Sequence, residues 1–203
     1  MLTTKGDSGS MKVKIIVFSD YICPFCFIGK HRIERLKTEF NIDVQWESFE
    51  LYQEDSSLPD PSYLERVWVK VKQLAEDAGI DIRCPSTLPR SRLALEGAEY
   101  AKEEGKFQQY HDGVFEAYFQ LDKDIGSIKV LLWVAKKISL DLKDFEYCLV
   151  NRTMKNKIEE QRKEAIELGI NAIPTFIIGD ERIVGAQPYE RLRSAVEEVV
   201  NSR

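Results

Sequence analysis

Hydrophobic residues at the start of the chain follow two different spacings, which predict a strand, a helix and a second strand. Residues 12–19 form a short β-branched apolar run, typical of a strand buried on both faces. Residues 42–49 alternate apolar and polar positions, as a second strand would. The segment between them repeats apolar residues every three or four positions, so we predict a helix that ends at Asn41. Its apolar stripe is Cys26, Gly29, Ile33, Leu36 and Phe40, and its charged side is mostly Lys30, Arg32, Glu34, Arg35 and Lys37. The three elements make a right-handed βαβ unit.

From residue 59 to about residue 150 the spacing is helical throughout. Gly79 ends the first helix of this region, and Ser127 is a suitable N-cap for a later one. A short helix is expected over residues 141–149. Pro85 and Pro89 exclude a regular helix from residues 80–90, where we predict a loop.

The last quarter of the chain predicts a helix, a hairpin and a terminal helix. Thr153 is a plausible N-cap, and Gly169 ends the helix that follows. Residues 173–178 and 181–184 resemble two strands separated by Gly-Asp, a strong hairpin signal. Pro188 suits the first turn of the last helix. The predicted order is therefore βαβ, a helical insertion, then αββα.

Composition and charge narrow the functional classes. The chain has 203 residues, 43% hydrophobic and 31% charged, enough to bury a core without disulfides or metal. A net charge of -5 without a basic block argues against a nucleic-acid partner. Its longest apolar run is far shorter than the roughly 20 residues of a membrane-spanning helix, so no membrane partner is expected. Residues 1–11 are expected to form a flexible tail without the apolar core of a secretory signal, which favours the cytoplasm.

The chemistry predicted from the residues centres on the sequence Cys23-Pro24-Phe25-Cys26 at a junction between strand and helix. Pro24 suits the first helical position, which places Cys23 where free N–H groups and the helix dipole favour a thiolate. Cys26 follows one turn later and can form a disulfide with Cys23. We expect Cys23 to form a mixed disulfide with substrate and Cys26 to resolve it.

Two alternatives are a zinc half-site and a pair of inert thiols. Cys84 and Cys148 are isolated in the sequence, and His31 and His111 lack ligand spacing, so no metal site is predicted. Cys84 and Cys148 are interpreted as two unconnected thiols.

A second motif, Ile173-Pro174 at the start of a predicted strand, completes a family resemblance. Together with the cysteine motif and the helical insertion, it resembles the α/β thioredoxin fold with an inserted all-helical domain, in its DsbA-like form. Three stretches of sequence resemble the FrnE-like branch of this family. They are residues 19–30 around the two cysteines, residues 169–176 and residues 185–187. The resemblance implies a thioredoxin-like domain made of residues 12–55 and 152–203, with a helical insertion at 56–151.

The resemblance also implies roles for site residues. It implies a cis Ile173-Pro174 bond facing Cys23, with Pro174 docking extended substrate. Pro24, Phe25 and Ile173 would then form the surface of the substrate groove. Oxidising relatives carry Pro-His between the cysteines where this chain has Pro-Phe. Many also have a buried acid where this chain has Val17, and Asp20 is expected to support its loop.

Three functions are open from the sequence. The first is thiol-disulfide exchange on a protein or small-molecule substrate, without a bound cofactor, with glutathione or a thioredoxin system as redox partner. The alternative is a glutathione-dependent isomerase or transferase, because 2-hydroxychromene-2-carboxylate isomerase and kappa-class glutathione transferases share the architecture. Those relatives generally carry serine at the position of Cys23. The third is a chaperone or binding module.

Overall fold

The computed structural model describes residues 12–202, so the predicted tail at residues 1–11 lies outside the described residues. The four strands are β1 (Val13–Ser19), β2 (Ile42–Ser48), β3 (Thr175–Ile178) and β4 (Glu181–Val184). The helices are α1 (Pro24–Glu39), α2 (Pro61–Ala78), α3 (Arg92–Glu103), α4 (Phe107–Phe119), α5 (Ile128–Lys137), α6 (Leu142–Asn151), α7 (Lys155–Glu167) and α8 (Tyr189–Asn201). This is the predicted order, with α2 to α6 lying between the two halves of the sheet.

The strands form one mixed sheet in the order β2-β1-β3-β4. β1 pairs parallel with β2, as the βαβ unit requires, and antiparallel with β3, which forms the predicted hairpin with β4. One register row crosses all four strands, through Trp46, Val17, Phe176 and Ile183. All four side chains are buried. They belong to a core that α1 and α8 complete, whereas α3 to α6 enclose a second and larger core.

Capping at two helices differs from the sequence prediction. Ser127 precedes α5 as predicted, but its side chain makes no capping hydrogen bond. Thr153 is not the N-cap of α7, since that position belongs to Met154. The Thr153 hydroxyl instead lies 3.1 Å from the sulfur of Cys148. A side chain engaged with the end of α6 cannot cap the next helix.

The predicted charged side of α1 is also partly wrong. Lys30 and Arg32 are buried, because each finds a partner distant in sequence. The Lys30 ammonium lies 2.7 Å from a carboxylate oxygen of Asp112, and the Arg32 guanidinium donates to the carbonyl of Gln187. Long basic side chains can be buried along their stems when their charged ends are paired. The helix therefore packs on more of its circumference than its apolar stripe predicts.

Among the described residues, no helix combines the length and the apolar character needed to cross a membrane.

Candidate active site

Cys23 occupies the N-cap of α1, at the end of the short turn that follows β1. Its backbone is extended, and Pro24 opens the helix. The Cys23 carbonyl accepts the first helical hydrogen bonds, from the N–H groups of Cys26 at 3.0 Å and Phe27 at 3.2 Å. Its N–H in turn donates to the carbonyl of Asp20 at 3.2 Å. The backbone thus fixes the Cys23 side chain at the N-terminal end of α1, beside the N–H groups of its first turn.

The two thiols differ in their surroundings. Both are free, but Cys26 is completely buried, whereas 4% of Cys23 is exposed. Burial raises the pKa of Cys26 well above its ordinary value of 9.0, and the neighbouring Cys23 thiol raises it further. Cys26 is therefore held as a thiol beside Cys23.

The loop before β3 closes the site from the other side. The Ile173-Pro174 peptide bond is cis. The Cys23 thiol lies 3.9 Å from the carbonyl oxygen of Ile173, across 150 positions of sequence. This loop is anchored at both ends, because Thr175 donates its hydroxyl to the Ala172 carbonyl and Gly185 donates its N–H to the Pro174 carbonyl. The two motifs singled out in the sequence thus meet at one place.

Asp20 holds the turn that carries Cys23. Its carboxylate accepts backbone hydrogen bonds from Leu51 at 2.7 Å and Ile22 at 3.3 Å. Both contacts agree with the predicted supporting role. The side chain is fully buried, and this desolvation raises its pKa from 3.8 to about 6. Sequence reasoning identified the residue but missed the raised pKa, which depends on burial by distant elements.

Pro24 and Phe25 lie at the surface between the cysteines and the helical region. Both are partly buried. Pro24 borders an apolar groove, whose other walls include Ile22, Trp68, Leu88 and Tyr118. Phe25 packs against the larger core. The exposed Cys84 lies in the same groove as Pro24.

The residues weighed as metal ligands do not meet. Cys148 is buried beside Thr153, and His111 is buried against Tyr21, whose hydroxyl lies 3.1 Å from its Nδ1 atom. His31 packs edge-on against the ring of Phe27 and is half-buried. Within residues 12–202, no group of three or more His, Cys, Asp or Glu side chains is arranged to hold a metal ion.

The sheet order and a cysteine pair at the start of the first helix define a thioredoxin-like α/β protein with helices inserted between its two halves. The profile of the DSBA-like thioredoxin domain matches residues 14–197, and the chain belongs to this family. Members of the family include oxidoreductases and isomerases.

Two relatives illustrate the range of the family. The uncharacterized protein YwbO of Bacillus subtilis is 37% identical over 195 residues, which cover 93% of this chain and 98% of YwbO. The 2-hydroxychromene-2-carboxylate isomerase of Pseudomonas putida is 24% identical over 189 residues, 88% of this chain and 92% of the isomerase.

Two solved structures share the fold. A probable DsbA oxidoreductase from Streptomyces coelicolor superposes with a TM-score of 0.82 at 21% identity, covering 95% of this chain and 92% of the other. The cytosolic disulfide reductase DsbM from Pseudomonas aeruginosa, solved with glutathione, gives a TM-score of 0.68 at 15% identity, covering 94% and 96%.

Proposed function

We propose that this protein is a thiol-disulfide oxidoreductase in which Cys23 is the nucleophile and Cys26 the resolving cysteine. The observation that carries the proposal is the asymmetry of the pair. The Cys23 sulfur lies at the helix N-terminus against the Ile173 carbonyl, while Cys26 is enclosed behind it. Cys23 keeps a small exposed fraction and Cys26 keeps none, so an incoming substrate would meet Cys23 first.

The reaction follows from these positions. The Cys23 thiolate attacks one sulfur of a substrate disulfide, forms a mixed disulfide and releases the other substrate sulfur as a thiolate. Cys26 then loses its proton and attacks the Cys23 sulfur. A Cys23–Cys26 disulfide forms, and the second substrate thiol is released. The substrate gains two electrons that the cysteine pair loses, and the reverse sequence oxidises a dithiol.

Pro174 and its neighbours would hold the substrate. Pro174 and Ile173 would dock an extended segment beside Cys23, with Pro24 and Phe25 as the facing surface. In this proposal, residues 12–55 and 152–203 form a thioredoxin-like domain, and residues 56–151 form a helical insertion that limits access. All four strands lie in the first part and helices α2 to α6 in the second.

The pair would be recycled in the cytoplasm by glutathione or by a thioredoxin-type system. Support for glutathione comes from the shared fold of DsbM, a cytosolic disulfide reductase that was solved with glutathione. The direction of the net reaction depends on the reduction potential of the pair. A potential of about -120 to -180 mV would make the protein an oxidant or isomerase, and one of about -270 mV a reductase.

Mixed-disulfide trapping tests the two cysteine roles. We expect Cys26→Ser to accumulate a covalent complex with insulin, formed when the Cys23 thiolate attacks an insulin disulfide and detected by mass spectrometry at Cys23. We expect Cys23→Ser to lose insulin reduction and to trap nothing. Cys84→Ser is the matched control, because Cys84 is an exposed thiol outside the pair, and it should behave as wild type. Wild-type turnover by Cys23→Ser would refute the proposal.

A second candidate is glutathione-dependent isomerisation, favoured by the similarity to the Pseudomonas putida isomerase over 92% of that protein. The same variant separates the two functions. An isomerase would retain glutathione-dependent turnover of a 2-hydroxychromene-2-carboxylate in Cys23→Ser, since serine is common at that position in such relatives. The oxidoreductase that we propose would show no such turnover in either form.

A further inference from the structure

An open cavity of about 400 Å³ lies between α1, the C-terminal end of α2 and the start of α8. Sites for small molecules usually have about 300–1,000 Å³. The α1 wall carries His31, Arg32 and Arg35, whereas the facing walls are mainly apolar. The apolar lining residues are Leu74, Ala78, Ile80, Pro188 and Tyr189. The lining residues do not include Cys23 or Cys26, so this cavity is separate from the candidate active site.

Arg32 is a buried cation without a carboxylate partner. Among residues 12–202, the buried Lys and Arg side chains are Lys30, Arg32 and Arg92. Lys30 and Arg92 each pair with a carboxylate, at 2.7 Å and 2.5 Å. The Arg32 guanidinium instead donates to the backbone carbonyl of Gln187. Burial lowers the pKa of Arg32, and no carboxylate in the described part of the chain offsets this effect.

Arg35 brings a second charge to the same wall, and its pairing is loose. Its guanidinium carbon lies 3.7 Å from the centre of the Tyr189 ring, and 61% of its side chain is exposed. Its Nε atom lies 3.9 Å from the carboxylate of Glu39, which also accepts hydrogen bonds from Tyr189 and Arg193.

The charge of the cavity is therefore positive. Asp77 is the only acidic residue among the described lining residues, and it is exposed on the α2 wall. Two arginines thus face the cavity against one solvated carboxylate. A buried charge loses its hydration, so it is normally compensated by an opposite charge. For Arg32 the chain does not supply this counter-charge, and an anion in the cavity would supply it.

We propose that this cavity binds a small organic acid, in which one carboxylate is joined to an apolar body. The carboxylate would pair with Arg32 and Arg35, because a planar guanidinium matches the two oxygens of a carboxylate. The apolar body would lie against Leu74, Ile80 and Pro188, where it removes apolar surface from water. Binding involves neither cysteine, so it is independent of the redox role proposed above.

Isothermal titration calorimetry with hexanoate tests the charge and the apolar body. We expect saturable binding of hexanoate at one site. The neutral hexanamide lacks the charge, and acetate and inorganic phosphate lack the apolar body. Each of these three should bind about tenfold more weakly or worse. Equal affinity for hexanamide would overturn recognition of an anion, and equal affinity for phosphate would overturn the role of the apolar walls. No binding of hexanoate at millimolar concentrations would overturn the site.

Arg35→Gln tests the position of the site, since this exposed side chain can be changed without opening the core. It should weaken the binding of hexanoate by about tenfold or more. Arg193→Gln is the matched control, because Arg193 also pairs with Glu39 but does not line the cavity. This control should leave the affinity unchanged. An equal loss in both variants would trace the effect to Glu39 and overturn the role of Arg35.

Arg32→Met removes the buried charge itself. Because Arg32 also holds the Gln187 carbonyl, circular dichroism first establishes whether this variant is folded. A folded Arg32→Met that binds hexanoate like the wild type would overturn the proposal.

Amide NMR signals of the wild-type protein give a test that needs no variant. Hexanoate should shift the signals of α1 around Arg32, of the end of α2 and of Tyr189. Shifts centred on the groove that holds Cys84 would place the acid elsewhere and overturn the proposal.

Discussion

Gly29 packs so closely against the ring of Phe176 that a methyl group on its Cα would lie 2.9 Å from the ring's Cζ atom. The same methyl group would lie 3.5 Å from Cγ of Pro174. This contact sets the separation between α1, which carries both cysteines, and the strand that Pro174 precedes.

Gly29→Ala should therefore destabilise the protein by about 1–3 kcal/mol, the usual effect of overpacking a core. Urea unfolding measures this loss. Phe176→Leu removes the ring that causes the clash. The double variant should therefore lose less free energy of unfolding than the two single variants lose together. Additive effects, or a fully stable Gly29→Ala, would show that α1 and β3 are not packed as described.

Thiol labelling should distinguish the buried from the exposed cysteines. In a Cys23→Ser variant at about pH 8, iodoacetamide should label Cys84 well before Cys26, because burial raises the pKa of Cys26 more and also blocks access. Peptide mass spectrometry follows each site. Cys148, which is buried in α6 and whose pKa burial also raises, is the internal reference. Labelling of Cys26 as fast as Cys84 would contradict the described burial.

Asp20 should make stability depend on pH in an unusual direction. Its pKa is about 6 in the folded protein against 3.8 ordinarily. Between these values the folded state holds a proton that the unfolded chain has released, so this group's contribution to stability falls as pH rises. Above about pH 6 its burial as a carboxylate costs on the order of 3 kcal/mol.

Asp20→Asn should remove this dependence, although it also loses one of two accepted hydrogen bonds, a constant cost of about 1–3 kcal/mol. Relative to wild type, the variant should thus gain stability between pH 4 and pH 7, measured from urea unfolding at each pH. Asp60→Asn is the control, because hydrogen bonding to Ser62 lowers the pKa of Asp60. Its relative stability should not rise over this range. The same flat profile for Asp20→Asn would contradict the raised pKa.

The pairing of Arg152 with Glu96 should contribute to the stability of the helical region. Arg152 Nε lies 3.0 Å from both carboxylate oxygens of Glu96, which is completely buried. Arg152→Met would leave this carboxylate without its partner and should lower the free energy of unfolding by about 2–3 kcal/mol. The loss should be smaller than for breaking a fully buried pair, because 30% of the Arg152 side chain is exposed.

Adding Glu96→Gln to Arg152→Met should recover part of this loss, because the unpaired charge is removed. Denaturant unfolding of both single variants and the double variant measures the coupling. A double variant as unstable as the sum of the single changes would mean that the two residues do not interact.

The sequence predicts the order of elements well because their signals are local. The apolar stripe of α1, the Gly-Asp turn between β3 and β4, and the prolines at residues 85 and 89 each act within a few positions. The N-cap position of Cys23 follows in the same way from Pro24. The meeting of the two motifs was predicted only through a family resemblance.

Other features depend on partners that no local pattern reveals. Lys30 is buried because Asp112 lies opposite, and Thr153 turns to Cys148 instead of capping α7. A small pocket at the ends of β1 and β2 is lined by Ser19, Trp46 and His111, which come from β1, β2 and α4. Sequence reasoning can name such residues as candidates but cannot bring them together.

The register row through Val17 also determines where this chain can change in length. β1 is paired on both sides, so inserting or deleting one residue there would turn its side chains to the opposite faces and break the match with β2 and β3 at once. β4 is paired with a neighbouring strand on one side only, and the turn at Gly179 and Asp180 is exposed to solvent. Insertions should therefore be tolerated at that turn and in the loop before α3, and rejected in β1.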